Sequence, residues 1–220
     1  VAHPPHIDRK ELREPDAVIE QLGLATTYFR EHRNRVVAIA AGLAVVFIGG
    51  VVWRGQVERS ADRAAASFLR ATDAIDLNSR ETAATALAGL ENSTGGIYGD
   101  LATLYRANLE TEAGKCSEAV ALYDRAAIEA SVPYVRQIAL VGKAFCQETL
   151  DRPAEAAASY AAAGKLVGPY REPALRGQLR SATSAQDKAL AASAVEALLE
   201  AFPEAEDADE LSKTLEALKG

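Results

Sequence analysis

An all-α chain, with a single N-terminal transmembrane helix followed by an α-solenoid of divergent helix pairs, is the fold class that this sequence predicts from three observations. The composition is 49% hydrophobic but only 6% aromatic, and strong helix formers such as Ala, Leu, Glu, Arg and Lys fill most of the chain after residue 55. No charge falls between Arg35 and Arg54, in a chain of which 25% is charged. Residues 99–127 align with residues 136–164 at an offset of 37, the mark of a stacked repeat. The 220 residues leave room for one sizeable domain with appendages.

Residues 1–35 read as a tail. VAHPPHIDRKELREPD opens with Pro4 and Pro5 and then turns charged, a composition that orders loosely. Further on, Val18, Leu22, Leu24, Ala25, Tyr28 and Phe29 share one helical face, which fits a short interfacial amphipathic helix or an extension of the helix that follows. His3 and His6 offer two metal ligands without a preorganised third, so no metal site is expected there. His32, among arginines, reads as a surface residue.

Residues 36–53 carry no charge and no proline, and as a helix they would run about 27 Å, close to the thickness of a bilayer's hydrocarbon core. No face of this helix is polar, and Trp53 beside Arg54 is a typical pair for a membrane boundary. A cleaved signal would have a short leader and a nearby small-residue site. Here the run starts only at residue 36, and the candidate Ala64-Ala65-Ala66 lies beyond five charged residues, so a retained span is expected. Arg30, Arg33 and Arg35 on one side nearly balance Arg54, Arg59, Arg63 and Arg70 on the other, and basic residues alone do not orient the span.

Residues 54–96 are expected to form a helical connector with a break at Asp76 to Asn78, ended by the punctuating STGG of residues 93–96. Residues 97–203 hold the repeats. Leu101 aligns with Ile138, Ala107 with Ala144, Glu118 with Glu155, Ala119 with Ala156, Tyr123 with Tyr160 and Ala126 with Ala163. Each unit is predicted to be two amphipathic helices around a short turn, Gly114-Lys115 or Asp151-Arg152, with alanines that let paired helices approach closely. A third pair follows Pro169 and closes at Phe202-Pro203. Residues 204–220 combine an acidic run with a capping helix, whose early Glu and Asp suit the helix dipole.

Ala119-Tyr123-Ala126 and Ala156-Tyr160-Ala163 resemble the second helix of the tetratricopeptide repeat, although the first helices lack the Trp and Gly of that family. Together with GGVVWRGQVERSADRAAAS and YGDLATLYRANLETEAGKCSEAV, they make the chain similar to the membrane-anchored tetratricopeptide-repeat-like proteins of Gram-negative bacteria, in particular the YfgM-type family of ancillary SecYEG translocon subunits. DRKELREPD is similar to the N-terminal signature of a related bacterial group. The resemblance implies a single-pass inner-membrane protein with a cytoplasmic N-terminus and a periplasmic domain. It also implies translocon subunits, periplasmic chaperones or secreted clients as partners. The first helices would then line the binding surface through Tyr105, Asn108, Glu112, Gln137, Lys143 and Gln147.

The net charge of −7 falls on the part after the span, because residues 1–35 carry six basic and six acidic side chains. An acidic domain without a basic aromatic patch argues against nucleic acid as a partner. No histidine follows His32, which removes a hydrolase triad or a His-based zinc site from the repeats, and GLENSTGG lacks the Lys-Ser/Thr of a phosphate loop. The sequence therefore predicts neither an enzyme nor a cofactor. Cys116 and Cys146 are the only cysteines; in an oxidising compartment a bridge between them would stabilise by about 3–4 kcal/mol before strain, while spacing alone does not decide whether they meet. No Cys-x-x-Cys is present to suggest a redox enzyme. The alternative to a client-binding scaffold is a self-associating structural protein of the cell envelope, held together by its repeats or by the glycines of the span.

Overall fold

The structure, a computed structural model, describes residues 33–91 and 96–220. His3, His6, His32 and the amphipathic face from Val18 to Phe29 lie outside the described residues. All the regular elements described are helices: α1 (Arg33–Asp76), α2 (Arg80–Glu91), α3 (Ile97–Glu112), α4 (Cys116–Glu129), α5 (Pro133–Thr149), α6 (Pro153–Gly164), α7 (Arg171–Ser184), α8 (Lys188–Ala201) and α9 (Ala208–Lys219). The chain divides into two compact units, Val1–Arg59 and Ser60–Gly220.

In the first unit, α1 carries the uncharged stretch. Its most apolar 18-residue window has a mean hydropathy of 2.5, and none of it is buried. Val45, Val46, Phe47 and Trp53 are among the large side chains left bare along it. A core helix of a soluble domain would bury such residues, whereas this stretch is left bare and is long and apolar enough to cross a membrane.

In the second unit the helices alternate between first and second members of a pair, and one turn ends every first helix. Asn78 after α1, Gly114 after α3, Asp151 after α5 and Gln186 after α7 all adopt positive φ, between 55° and 75°. In each case the residue after it, three past the helix, returns its N–H to a carbonyl five back: Ser79 to Ala74, Lys115 to Glu110, Arg152 to Gln147 and Asp187 to Ala182. This satisfies carbonyls that a helix end would otherwise leave without partners, and it suits Gly, Asn and Asp, which enter the left-handed region at low cost. The turns at Gly114-Lys115, Asp151-Arg152 and near Asn78 fall where the sequence predicts them. The same turn after α1 brings Ala64, Ala71 and Ala74 of α1 into one buried cluster with Ala83, Leu87 and Leu90 of α2, so four helix pairs stand among the described residues before α9.

Each helix from α2 onward packs on the next, and α3 also touches α5 while α5 touches α7. First helices therefore form an inner row, as expected when α-hairpins stack into a superhelix. Fully buried alanines, including Ala107, Ala119, Ala139, Ala144, Ala156 and Ala163, let the backbones come close. Each pair is also tied to the next by polar groups. Asp100 at the start of α3 accepts from the Ser131 N–H and hydroxyl at 2.8 and 2.7 Å. Its repeat equivalent Gln137 donates to the Ala163 and Leu166 carbonyls at 3.3 and 2.9 Å and accepts from the Tyr170 N–H at 3.3 Å. Glu91, almost entirely buried, accepts from Arg106 at 2.8 and 2.9 Å and from Arg125, which ties α2 to α3 and α4.

Candidate functional site

Two sets of tyrosines flank the first helices. The first set is internal. The Tyr123 ring of α4 seats against Gly142 of α5, where a Cβ would come within 2.5 Å of it, and the Tyr160 ring of α6 seats against Gly177 of α7, where the approach would be 2.7 Å. Only glycine leaves room for the rings. The phenol of Tyr123 donates to Asn108 at 2.7 Å and lies 3.1 Å from the Thr111 hydroxyl, which is itself 3.3 Å from the Cys146 sulfur. Burial pushes the Tyr123 phenol up, against the opposing effect of the Thr111 hydrogen bond.

The second junction has the same frame and other chemistry. Tyr160 donates to Glu148 at 3.1 Å, Ser181 donates to the same carboxylate at 2.6 Å, and Arg180 grips it with two hydrogen bonds of 3.0 and 2.8 Å. Burial raises the pKa of Glu148, but the hydrogen bonds from Arg180 and Ser181, with the charge of Arg180, outweigh it and hold the carboxyl below its ordinary range. Burial, followed by the Glu148 charge, pushes the Tyr160 phenol up to about 12. Thr111, Tyr123 and Gly142 thus correspond to Glu148, Tyr160 and Gly177, and Cys146 stands where the second junction has Ser181.

The second set of tyrosines is more exposed. Tyr98, Tyr134 and Tyr170 recur every 36 residues, one at the entry to each of the first helices α3, α5 and α7. Tyr134 is 47% exposed, and Tyr98 and Tyr170 are half-buried. The Tyr134 and Tyr170 rings lie 6.0 Å apart. Phe68 joins the row at its start, 5.9 Å from Tyr98 and 5.2 Å edge-on from Tyr105. Partial desolvation, then the neighbouring Tyr170, pushes the Tyr134 phenol up, and Tyr105 adds to the effect. Phe145, one helical turn beyond Val141 on α5, adds a further exposed ring. Aromatic rings presented on a rigid helical row combine large contact area with little rotamer entropy, which suits them to anchor another protein.

The residues singled out in the sequence divide between surface and interior. Tyr105 and Glu112 are partly or fully open, and Glu112 pairs with Arg80 at 3.8 Å. Asn108 is half-buried and accepts from Tyr123, while Lys143 is half-buried and pairs with Asp124. Gln137 and Gln147 are buried and line no accessible surface. Gln137 is the loop clasp described above, and Gln147 accepts from Ser159 at 2.7 Å while its amide reaches Glu155. Their amides satisfy buried groups, which is why a polar type here does not signal exposure. Cys116 and Cys146 are free thiols buried in one cluster. Among the described residues, no group of three or more His, Cys, Asp or Glu is placed to hold a metal ion.

Helix pairs of about 36 residues, small residues at the contacts and an inner row of first helices define a tetratricopeptide-like solenoid. The family described as "Tetratricopeptide repeat-like domain" matches residues 26–157, and the chain belongs to it. A tetratricopeptide repeat protein from Parabacteroides merdae is similar in structure, with a TM-score of 0.55 at 16% identity over 71% of this chain. The chain spans 60% of the length of that structure. No curated protein matches the sequence. The fold is that of a protein-interaction scaffold.

Proposed function

We propose that the protein is a non-enzymatic scaffold, anchored in the bacterial inner membrane by residues 36–53, whose inner row binds other proteins on the periplasmic side. The observation that carries this reading is the Tyr98, Tyr134 and Tyr170 row, which sets an aromatic ring at the entry of three successive first helices. Tyr105, Asn108 and Glu112, further along α3, and Lys143, further along α5, would add polar contacts. Subunits of the Sec translocon, periplasmic chaperones or secreted clients are the partners that the likeness to YfgM-type proteins supports. The bare apolar window of α1 supports the anchor.

Site-specific photocrosslinking in intact membranes tests this assignment. A photoreactive phenylalanine at Tyr134 is expected to capture translocon subunits or clients, and the same probe at exposed Ser117 of α4 is expected to capture none. Equal capture at both positions contradicts the assignment. Adducts of the chain with itself alone would favour the self-associating envelope protein.

A further inference from the structure

We propose that Cys116 and Cys146 are a closable dithiol, which an oxidant of the disulfide class converts into an intramolecular bridge stapling α4 to α5. These are the only cysteines in the chain, and they come from different helices into one buried cluster with Leu104, Tyr123 and Val135. The helices that carry them, α4 and α5, pack directly on each other, and the Cys146 sulfur lies 3.3 Å from the Thr111 hydroxyl. The second junction has no such pair: the positions equivalent to Cys116 and Cys146 are Pro153 and Ser181, and Ser181 is already engaged by Glu148. Its lock is therefore a carboxylate, whereas the first junction holds its lock in reserve as two thiols.

The step is a thiol–disulfide exchange. Cys116, the first residue of α4 and at 4% exposure the more accessible, attacks one sulfur of the oxidant and releases one thiolate. The Cys146 sulfur then attacks the Cys116 sulfur of the mixed disulfide and releases the second. The protein gives up two electrons and two protons, the oxidant leaves as two thiols, and one S–S bond has formed for the one broken. Burial, with the neighbouring Cys116, pushes the Cys146 thiol up to about 12. Cys146 is therefore held as the thiol, and the first attack falls to Cys116.

This inference concerns α4 and α5 alone and does not depend on the proposed function. The test uses the full-length chain in detergent with oxidised glutathione as the probe, followed by denaturation, maleimide alkylation and intact-mass measurement. The expected product has lost both thiols together, weighs about 2 Da less than the reduced chain, carries no glutathione and is not a dimer. Its unfolding midpoint is expected to rise by roughly 4–10 °C, reversibly with reductant. The Cys116→Ser and Cys146→Ser chains should show no such rise. Two maleimides on the treated wild-type chain, a stable glutathione adduct or a disulfide-linked dimer would each overturn the proposal. So would a bridge that forms only after denaturation.

Discussion

Tyr123 and Tyr160 on one side, and Tyr98, Tyr134 and Tyr170 on the other, are the same residue type put to two uses within one solenoid. The first two are buried at nearly equal depth, each ring against a glycine and each hydroxyl taken by a partner from the preceding first helix. The other three recur at the mouth of the first helices, touch aromatic neighbours and keep part of each ring in solvent. Position within the helix pair separates the two uses. A ring on a second helix faces the next pair and fills the gap that small residues leave there, whereas a ring at the start of a first helix is covered only in part.

The largest expected effect breaks the internal set. Tyr123→Ala or Tyr160→Ala should lower the unfolding free energy by about 3–5 kcal/mol in chemical denaturation, through lost burial plus the cavity left behind. Filling the seats from the other side, with Gly142→Ala or Gly177→Ala, should cost about 1–3 kcal/mol, because the new methyl meets a ring fixed on both faces. A cost below the error of the measurement would show that the rings can move away.

A second effect separates the two junctions from each other. The folded-state pKa of Glu148 lies below its unfolded value, so the stability it contributes is present above about pH 4.3 and is lost as the pH falls through the folded value. The first junction has no ionised carboxylate in the equivalent place, only Thr111. Thermal midpoints of the wild type and Glu148→Gln, followed from pH 7 down towards pH 3, should therefore converge in acid. Parallel curves would mean that Arg180 and Ser181 do not hold the carboxylate ionised. The smallest effect is expected at the surface: Lys219→Ala removes an open pair with Glu196, and should change stability by less than about 1 kcal/mol.

Much of this was legible in the sequence, and its failures have physical causes. Gly114 and Asp151 marked turns because few residues enter the left-handed region, and Tyr123 with Tyr160 stood out because they recur with small residues at fixed spacing. The first helix pair was hidden because α1 is continuous with the apolar stretch, so no break announces where the solenoid starts. Gln137 and Gln147 read as surface residues from their polarity, yet they satisfy carbonyls and hydroxyls inside the solenoid, and only the fold brings those partners to them. The exposed row was present in the sequence at a period of 36. Alignment at 37 set Tyr98 against Val135 and Tyr134 against Arg171, and so concealed it.

The claim that the outer tyrosines bind and the inner ones support is tested most directly by Tyr134→Ala, with partner binding and the unfolding midpoint measured on the same full-length preparation. The account predicts at least about a tenfold loss of captured partner, with the midpoint within about 3 °C of wild type. Undiminished capture, or a fall in the midpoint as large as that of Tyr123→Ala, would contradict it.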